Sequence, residues 1–400
     1  MLIYAMNYAP ELAGAGRYTG EIGAAIEATG STLEVVTAPP HYPGWYVRDG
    51  YRRWGYTAER SPGRRIYRCP LLLRRKMGGI WRLLAPVSFA AFSFPVLAWR
   101  ILRFRPDTVF CVEPTLFCAM PAALLARLVG ARTVLHVQDL ELDAAFEVGH
   151  LSKLAFLRGI ATAYERATRR LFDRVVTISL AMRSALIRKG VAPEKVEIVR
   201  NWVDQSRIAP MSGPNPFRGE LGLDAGCLVV EYAGNIGTKQ ALDLVLEAAS
   251  RLVDVPDLVF VIAGDGPAKA DLVARYGQLP NVRFLDLQPE EKLCALLNLA
   301  DLHVLPQMRE AADLVLPSKL GGMLASGRPI LVTAAEGTEL SAFLQGAAIL
   351  VPPGDADALA EAICAFARDR ADPGAARRAE LAGELSSTKQ LPRLIEAIQG

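Results

Sequence analysis

The sequence predicts two doubly wound α/β domains, each a parallel sheet flanked by crossover helices. Three observations predict it. Short apolar runs alternate with helical patterns from the first residues onward. The same alternation resumes in the second half of the 400-residue chain, which is comfortable for two domains. A polar, Pro-rich stretch from Asp204 to Gly219 lies between the two sets and reads as linker or surface loop.

The elements follow in order. Leu2–Met6 is a short buried strand, followed by the turn Ala13-Gly14-Ala15-Gly16 and a helix from about Arg17 to Thr29 that Gly30 ends. Leu33–Thr37, Thr108–Val112, Thr133–Val137 and Val175–Ile178 continue the first sheet. Leu228–Tyr232, Leu258–Ala263, Val282–Leu285, Leu302–Leu305, Ile330–Thr333 and Ala348–Val351 form the second, with helical patterns such as Ala241–Leu252 between them. A last helix, about Thr388–Ile398, is expected to return to the first domain. The expected boundaries are 1–203, 204–385 and 386–400. Ligands of such sheets bind beyond the carboxyl ends of the strands, and two such domains facing each other make a cleft.

Leu83–Trp99 breaks the rhythm. It holds no charge, Arg82 and Arg100 close it, and Pro86 and Pro95 interrupt it. At about 17 residues it is at the short limit of a membrane span. A buried helix pair and a segment dipping into one leaflet remain open beside that reading. Its surroundings favour the leaflet: between Arg48 and Arg105 the only acids are Asp49 and Glu59. Cations beside an apolar face bind anionic lipid.

Composition sets limits. Lys plus Arg is 45 and Asp plus Glu 42, a net +3 that does not suit a nucleic-acid binder. The six cysteines form no CxxC pair and read as buried free thiols. The N-terminus lacks a basic region followed by an apolar one, so the expected location is cytoplasmic.

Several motifs point to phosphate chemistry. Gly14 and Gly16 let a backbone approach an anion at a helix start, although a plain tight turn gives the same pattern. Gly234-Asn235-Ile236-Gly237-Thr238-Lys239 follows a strand and precedes a helix, so Lys239 can neutralise phosphate; an exposed loop lysine is the alternative. In Leu316-Pro317-Ser318-Lys319-Leu320, Lys319 sits where the helix dipole disfavours a cation, as though an anion offset it; a solvated lysine is the alternative. Glu310 and Asp313 precede that helix start. His136-Val137-Gln138-Asp139 ends a strand and opens an acidic loop. Arg200-Asn201-Trp202-Val203-Asp204 braces the domain junction. Asp355-Ala356-Asp357 matches a metal-holding DxD but reads better as a helix cap; with the histidines scattered, no metal site is expected.

These segments together resemble the retaining glycosyltransferases of family 4, with the GT-B fold. Within them the chain looks most like the bacterial, fucosyltransferase-like enzymes of colanic-acid and O-antigen type. NYAPELAGAGRYTGE, TAPPHYPGW, LHVQDLELDA, GNIGTKQALDLVLEAA, AGDGP, ADLVLPSKL, ASGRP and VPPGDADALAEAI carry the resemblance in the family's order. The resemblance implies that Lys239 grips the donor diphosphate, with Ser318, Lys319 and the Leu320 N–H on the same phosphates. It implies that Gly14 and Gly16 close on the diphosphate, and that Gly264, Asp265 and Leu287 line the nucleobase pocket beside Gly234 and Asn235. Glu310 or Asp313 would touch the donor sugar, and Asp139 the reacting carbon or acceptor hydroxyl.

Two departures stand out. The family's glutamate pair is missing, with Gly322 at its second position, and Gln138 replaces a His. The implied reaction is metal-independent transfer with retention, from a UDP- or GDP-sugar co-substrate and without a cofactor. The implied acceptor is a polyprenyl-diphosphate-linked glycan at the inner face of the plasma membrane, with lipid contact through about 80–105. A nucleotide-sugar epimerase of the same fold, or a catalytically decayed scaffold, is the alternative.

Overall fold

A computed structural model describes residues 1–11, 14–74, 81–114, 116–140, 155–237, 240–308 and 315–400. The chain divides into two compact units: Met1–Arg200 with Leu391–Gly400, and Asn201–Gln390.

The first unit holds β1 (Leu2–Tyr4), β2 (Leu33–Thr37), β3 (Thr57–Ser61), β4 (Arg64–Arg68), β5 (Thr108–Glu113), β6 (Arg132–Val137), β7 (Arg174–Thr177) and β8 (Val196–Ile198). They lie in the order β3-β4-β2-β1-β5-β6-β7-β8, and only the edge strand β3 runs antiparallel to its neighbour. Every residue of β1, β2 and β5 is buried. A parallel sheet covered on both faces calls for such mostly apolar strands, here interrupted by the buried Glu34, Thr37, Thr108 and Glu113.

Leu83–Trp99 lies in one continuous helix, Trp81–Phe104, not in a helix pair. Its inner face packs Ala85, Phe89, Leu97 and Ile101 into the core, and this burial outweighs the two prolines. Beside Pro95, the Tyr56 hydroxyl donates to the Phe92 carbonyl at 3.0 Å. Arg100 is buried too, paired with Glu34 on β2, its Nε donating to Glu34 Oε2 at 2.6 Å.

The second unit holds β9 (Leu228–Ala233), β10 (Leu258–Ala263), β11 (Val282–Leu285), β12 (Leu302–Leu305), β13 (Ile330–Thr333) and β14 (Ile349–Val351). All are parallel, in the order β11-β10-β9-β12-β13-β14. This order reverses between β9 and β12, where doubly wound sheets open a ligand crevice. The stretch Asp204–Gly219 is largely a surface loop, anchored where Ile208 and Phe217 enter this unit's core and Asn215 caps the short helix Pro216–Glu220. Asp355 caps the helix Ala356–Asp369, its carboxylate accepting from Ala358 N at 2.9 Å.

Candidate functional site

In the second unit the register of β9 with β10 pairs Ala233 with Ala263, so Gly234 and Gly264 leave the sheet side by side. Gly234 N donates to Ala263 O at 2.9 Å, Gly264 N to Leu285 O at 3.1 Å, and Ile236 N to Asp265 O at 2.8 Å. The two loops are thereby joined along their length. Both glycines have strongly positive φ, 144° and 143°, which side chains with a Cβ rarely adopt.

Lys319 reaches this point from the start of the helix Leu320–Ala325. Its Nζ lies 3.0 Å from where a Cβ on Gly234 would stand. The ammonium sits 4.0 Å from the centroid of the Tyr232 ring and donates to the Tyr232 hydroxyl. That hydroxyl donates in turn to Asn235 O at 2.6 Å. Among the described residues no carboxylate pairs with Lys319. Burial holds its pKa down at about 7, against an ordinary 10.5. The crevice therefore presents a desolvated cation that an anion would recharge.

Around it, Ser318, Asn235 and Asp265 are exposed, and Leu287 is 68% exposed. Asp265 Oδ1 accepts from Gly266 N at 2.8 Å, turning the loop back on itself. Lys269 carries no motif of its own in the sequence, yet its Nζ donates to Gly264 O at 2.9 Å and to Asp286 Oδ1 at 2.6 Å. Tyr232 gives no sequence signal either, because it closes an apolar strand. Lys239, Glu310 and Asp313 lie outside the described residues.

In the first unit Gly14, Gly16 and Asp139 all lie on the carboxyl edge of the sheet. Gly14 has φ 61° and lies against the Tyr42 ring. A Cβ on Gly16 would stand 2.2 Å from Glu11 Oε2, so that position is closed to any larger residue. Asp139 is exposed, its Oδ1 accepting from Leu140 N at 2.8 Å. Gln138 Nε2 lies 3.2 Å from His136 Nε2, and burial pushes that imidazole down to about 3, so it stays neutral.

Glu113, at the end of β5 where this sheet's order also reverses, is a further carboxylate of the edge. Arg169 donates to its Oε1 at 2.8 Å and also pairs with Glu165, whose other oxygen accepts from Lys189 at 2.9 Å. Burial raises the Glu113 pKa to about 7, with Arg169 opposing the rise and Glu165 and Asp139 adding to it. The folded protein thus keeps a proton on Glu113 from the ordinary 4.5 up to about 7, where the unfolded chain has released it. This group's contribution to stability must fall as pH rises through that window. Urea unfolding between pH 4.5 and 7 is expected to show that decline in the parent and a flatter profile in Glu113→Gln; equal slopes would remove Glu113 as its source.

Comparison with known proteins agrees with this architecture. Residues 13–202 match the Glycosyl transferase 4-like domain, and residues 228–369 match Glycosyl transferases group 1. The chain is 42% identical over 373 residues to the putative colanic acid biosynthesis glycosyl transferase WcaI of Escherichia coli K12, covering 91% of each chain. Among solved structures it resembles sucrose-phosphate synthase of Thermosynechococcus elongatus, with a TM-score of 0.74 at 17% identity over 99% of this chain and 97% of that one. It also resembles Anabaena HepE in complex with UDP-glucose, with a TM-score of 0.68 at 15% identity over 99% and 98%. The chain belongs to the glycosyltransferases of the GT-B fold that join a family 4-like domain to a group 1 domain.

Proposed function

We propose that this chain transfers a hexose, with retention and without a metal, from a UDP- or GDP-sugar to a polyprenyl-diphosphate-linked glycan during surface polysaccharide synthesis. The observation that carries the reading is Lys319: a desolvated ammonium at the reversal of the second sheet, with Tyr232 and Gly234 against it. A donor diphosphate restores its charge, and the ammonium then stabilises charge developing on the leaving nucleotide. Lys239 is proposed as the second phosphate cation, Ser318 and the Leu320 N–H as phosphate donors, and Asp265 and Leu287 as the lining of the base pocket. Glu310 or Asp313 is proposed to touch the donor sugar, and Asp139 to lie beside the acceptor hydroxyl. The relationship to WcaI supports a colanic-acid-like pathway.

The test incubates the purified protein with a panel of UDP- and GDP-sugars and a bacterial lipid extract, following nucleotide release and labelled lipid. Release with one donor, coupled to lipid labelling and lost in Lys239→Ala and Lys319→Ala, supports the reading. Conversion of a donor without acceptor would identify an epimerase instead. Nucleotide binding without turnover would indicate a scaffold.

The membrane part of the reading rests on the helix Trp81–Phe104, in which Leu84–Phe104 is long and apolar enough to cross a membrane by length and composition. Its inner face is in the core, so a surface contact fits better than a span. The outer face shows Val87, Ala91, Phe94, Trp99 and Leu102, apolar at helical spacing, with Arg103 and Arg105 exposed at its end. Changing Phe94, Trp99 and Leu102 together to serine is expected to abolish co-sedimentation with anionic vesicles. Undiminished co-sedimentation of the folded variant would refute the contact.

A further inference from the structure

The loop after β2 carries an aromatic cluster that the donor chemistry leaves unused. Over Pro39–Tyr46 it reads Pro-Pro-His-Tyr-Pro-Gly-Trp-Tyr, with no formally charged Asp, Glu, Lys or Arg. Tyr42 is 39% and Tyr46 57% exposed, while Trp45 is half-buried. The Tyr42 and Trp45 rings meet edge to face, with centroids 6.0 Å apart. The His41 ring lies 6.0 Å from that of Trp45.

The cluster is built, not draped. The buried Glu11 carboxylate comes from the segment after β1, and its Oε1 accepts from His41 N at 2.9 Å and Tyr42 N at 3.0 Å. Its Oε2 accepts from Asn7 Nδ2 at 2.9 Å. Trp45 N donates to His41 O at 2.7 Å, closing a tight turn that leaves Trp45 at φ 56°. A bulky residue in that region is rare and costs on the order of 1 kcal/mol, a strain that clusters at ligand clamps. His41 is only 3% exposed; its Nδ1 lies 2.9 Å from Pro39 O and its Nε2 has no hydrogen-bond partner among the described residues.

We propose that Tyr42, Trp45 and Tyr46 form the platform on which a pyranose ring of the glycan acceptor stacks. The proposal rests on the glycosyl-transfer reading above and adds the acceptor's recognition to it. A sugar ring has a face of C–H groups with partial positive charge, complementary to the negative face of an aromatic ring, and a rim of hydroxyls. Tyr and Trp give rigid amphipathic contact area at low entropy cost. The loop's lack of fixed charge suits a neutral saccharide better than a phosphate. Its place suits the acceptor as well: it follows β2 at the carboxyl edge of the first unit's sheet, as Asp139 follows β6, while the cation for the nucleotide is in the other unit. Binding groups on a loop held by a rigid sheet are the usual arrangement.

Two measurements test it, with Tyr46→Ala and Tyr42→Ala/Tyr46→Ala checked for an unchanged thermal midpoint. Saturation-transfer NMR uses oligosaccharides released from the bacterial lipid extract. Saturation should reach the sugar ring protons from the parent and not from the double variant. Equal transfer from both proteins, or none from the parent, overturns the platform. In the transfer assay the acceptor KM should rise about tenfold or more in the variants, with nucleotide-sugar affinity unchanged in Tyr46→Ala. A change in acceptor KM below about twofold, or an equal loss of donor affinity, overturns it too. Failure of the parent to transfer from any donor sinks the underlying activity instead, and the NMR outcome then stands by itself.

Discussion

Lys319→Met is expected to lower kcat/KM for the nucleotide-sugar about 10²–10³-fold while leaving the empty protein at least as stable as the parent at pH 7. The two effects share one cause. In the empty site the ammonium has lost water and gained only a phenol, so its pKa falls to about 7. The unfolded chain keeps the ordinary value of 10.5 and binds more protons between those values. Stability from this group is therefore least below pH 7 and rises as pH climbs from 7 toward 10.5. Methionine removes that liability, and Tyr232 keeps its own bond to Asn235 O. Donor binding has the opposite sign. A diphosphate favours the charged lysine, so binding above pH 7 must take up a proton, and affinity should fall about tenfold per pH unit until the bound-state pKa is reached. Around pH 8 the sugar diphosphate and its base both keep a fixed charge, so the effect there belongs to the protein. Calorimetry at pH 8 in two buffers of different ionisation enthalpy should report uptake in the parent and none in Lys319→Met. Absence of uptake in the parent would mean that Lys319 does not meet the phosphates.

What the sequence reveals here follows burial. Strands covered on both faces, such as Leu33–Thr37 and Leu228–Ala233, are apolar but for Glu34, Thr37 and Glu231, so they stand out without any partner in view. Strands β3 and β4 do not, because Thr-Ala-Glu-Arg-Ser and Arg-Arg-Ile-Tyr-Arg gain their structure only by pairing with each other and with β2. Part of the basic stretch is internal, although most of its described arginines are exposed. Arg68 is 2% exposed, bonded to Ala38 O, Ala9 O and Glu59, while Arg64 meets Glu27. Ion pairs between residues far apart in sequence leave no local trace. At the site, Lys319 is legible because a cation at a helix start contradicts the dipole. Tyr232 and Glu113 are not, since each ends a strand that reads as core. The partner that defines Glu113, Arg169, lies 56 residues on.

Gly264→Ala is expected to destabilise the second unit by about 3 kcal/mol or more, and with it to abolish nucleotide binding. A Cβ at that position would stand 1.8 Å from the backbone oxygen of Gly234, and φ is 143°. No rotamer relieves a clash between a Cβ and a main-chain carbonyl, so one loop must move. The loops cannot move independently: the bonds Gly234 N to Ala263 O and Ile236 N to Asp265 O tie them, and Lys269 holds Gly264 O from the other side. The displacement therefore passes to Gly234, against which Lys319 Nζ rests. Gly222→Ala is the control. Its φ is 64° but nothing lies within 4 Å of the added carbon, so only the backbone term of about 1 kcal/mol applies. Thermal melts should separate the two, with a drop of roughly 6–12 °C for Gly264→Ala against roughly 2–4 °C for the control. Equal drops would mean that positive φ alone sets the cost, and that the close approach of the two loops is not what builds the proposed phosphate site.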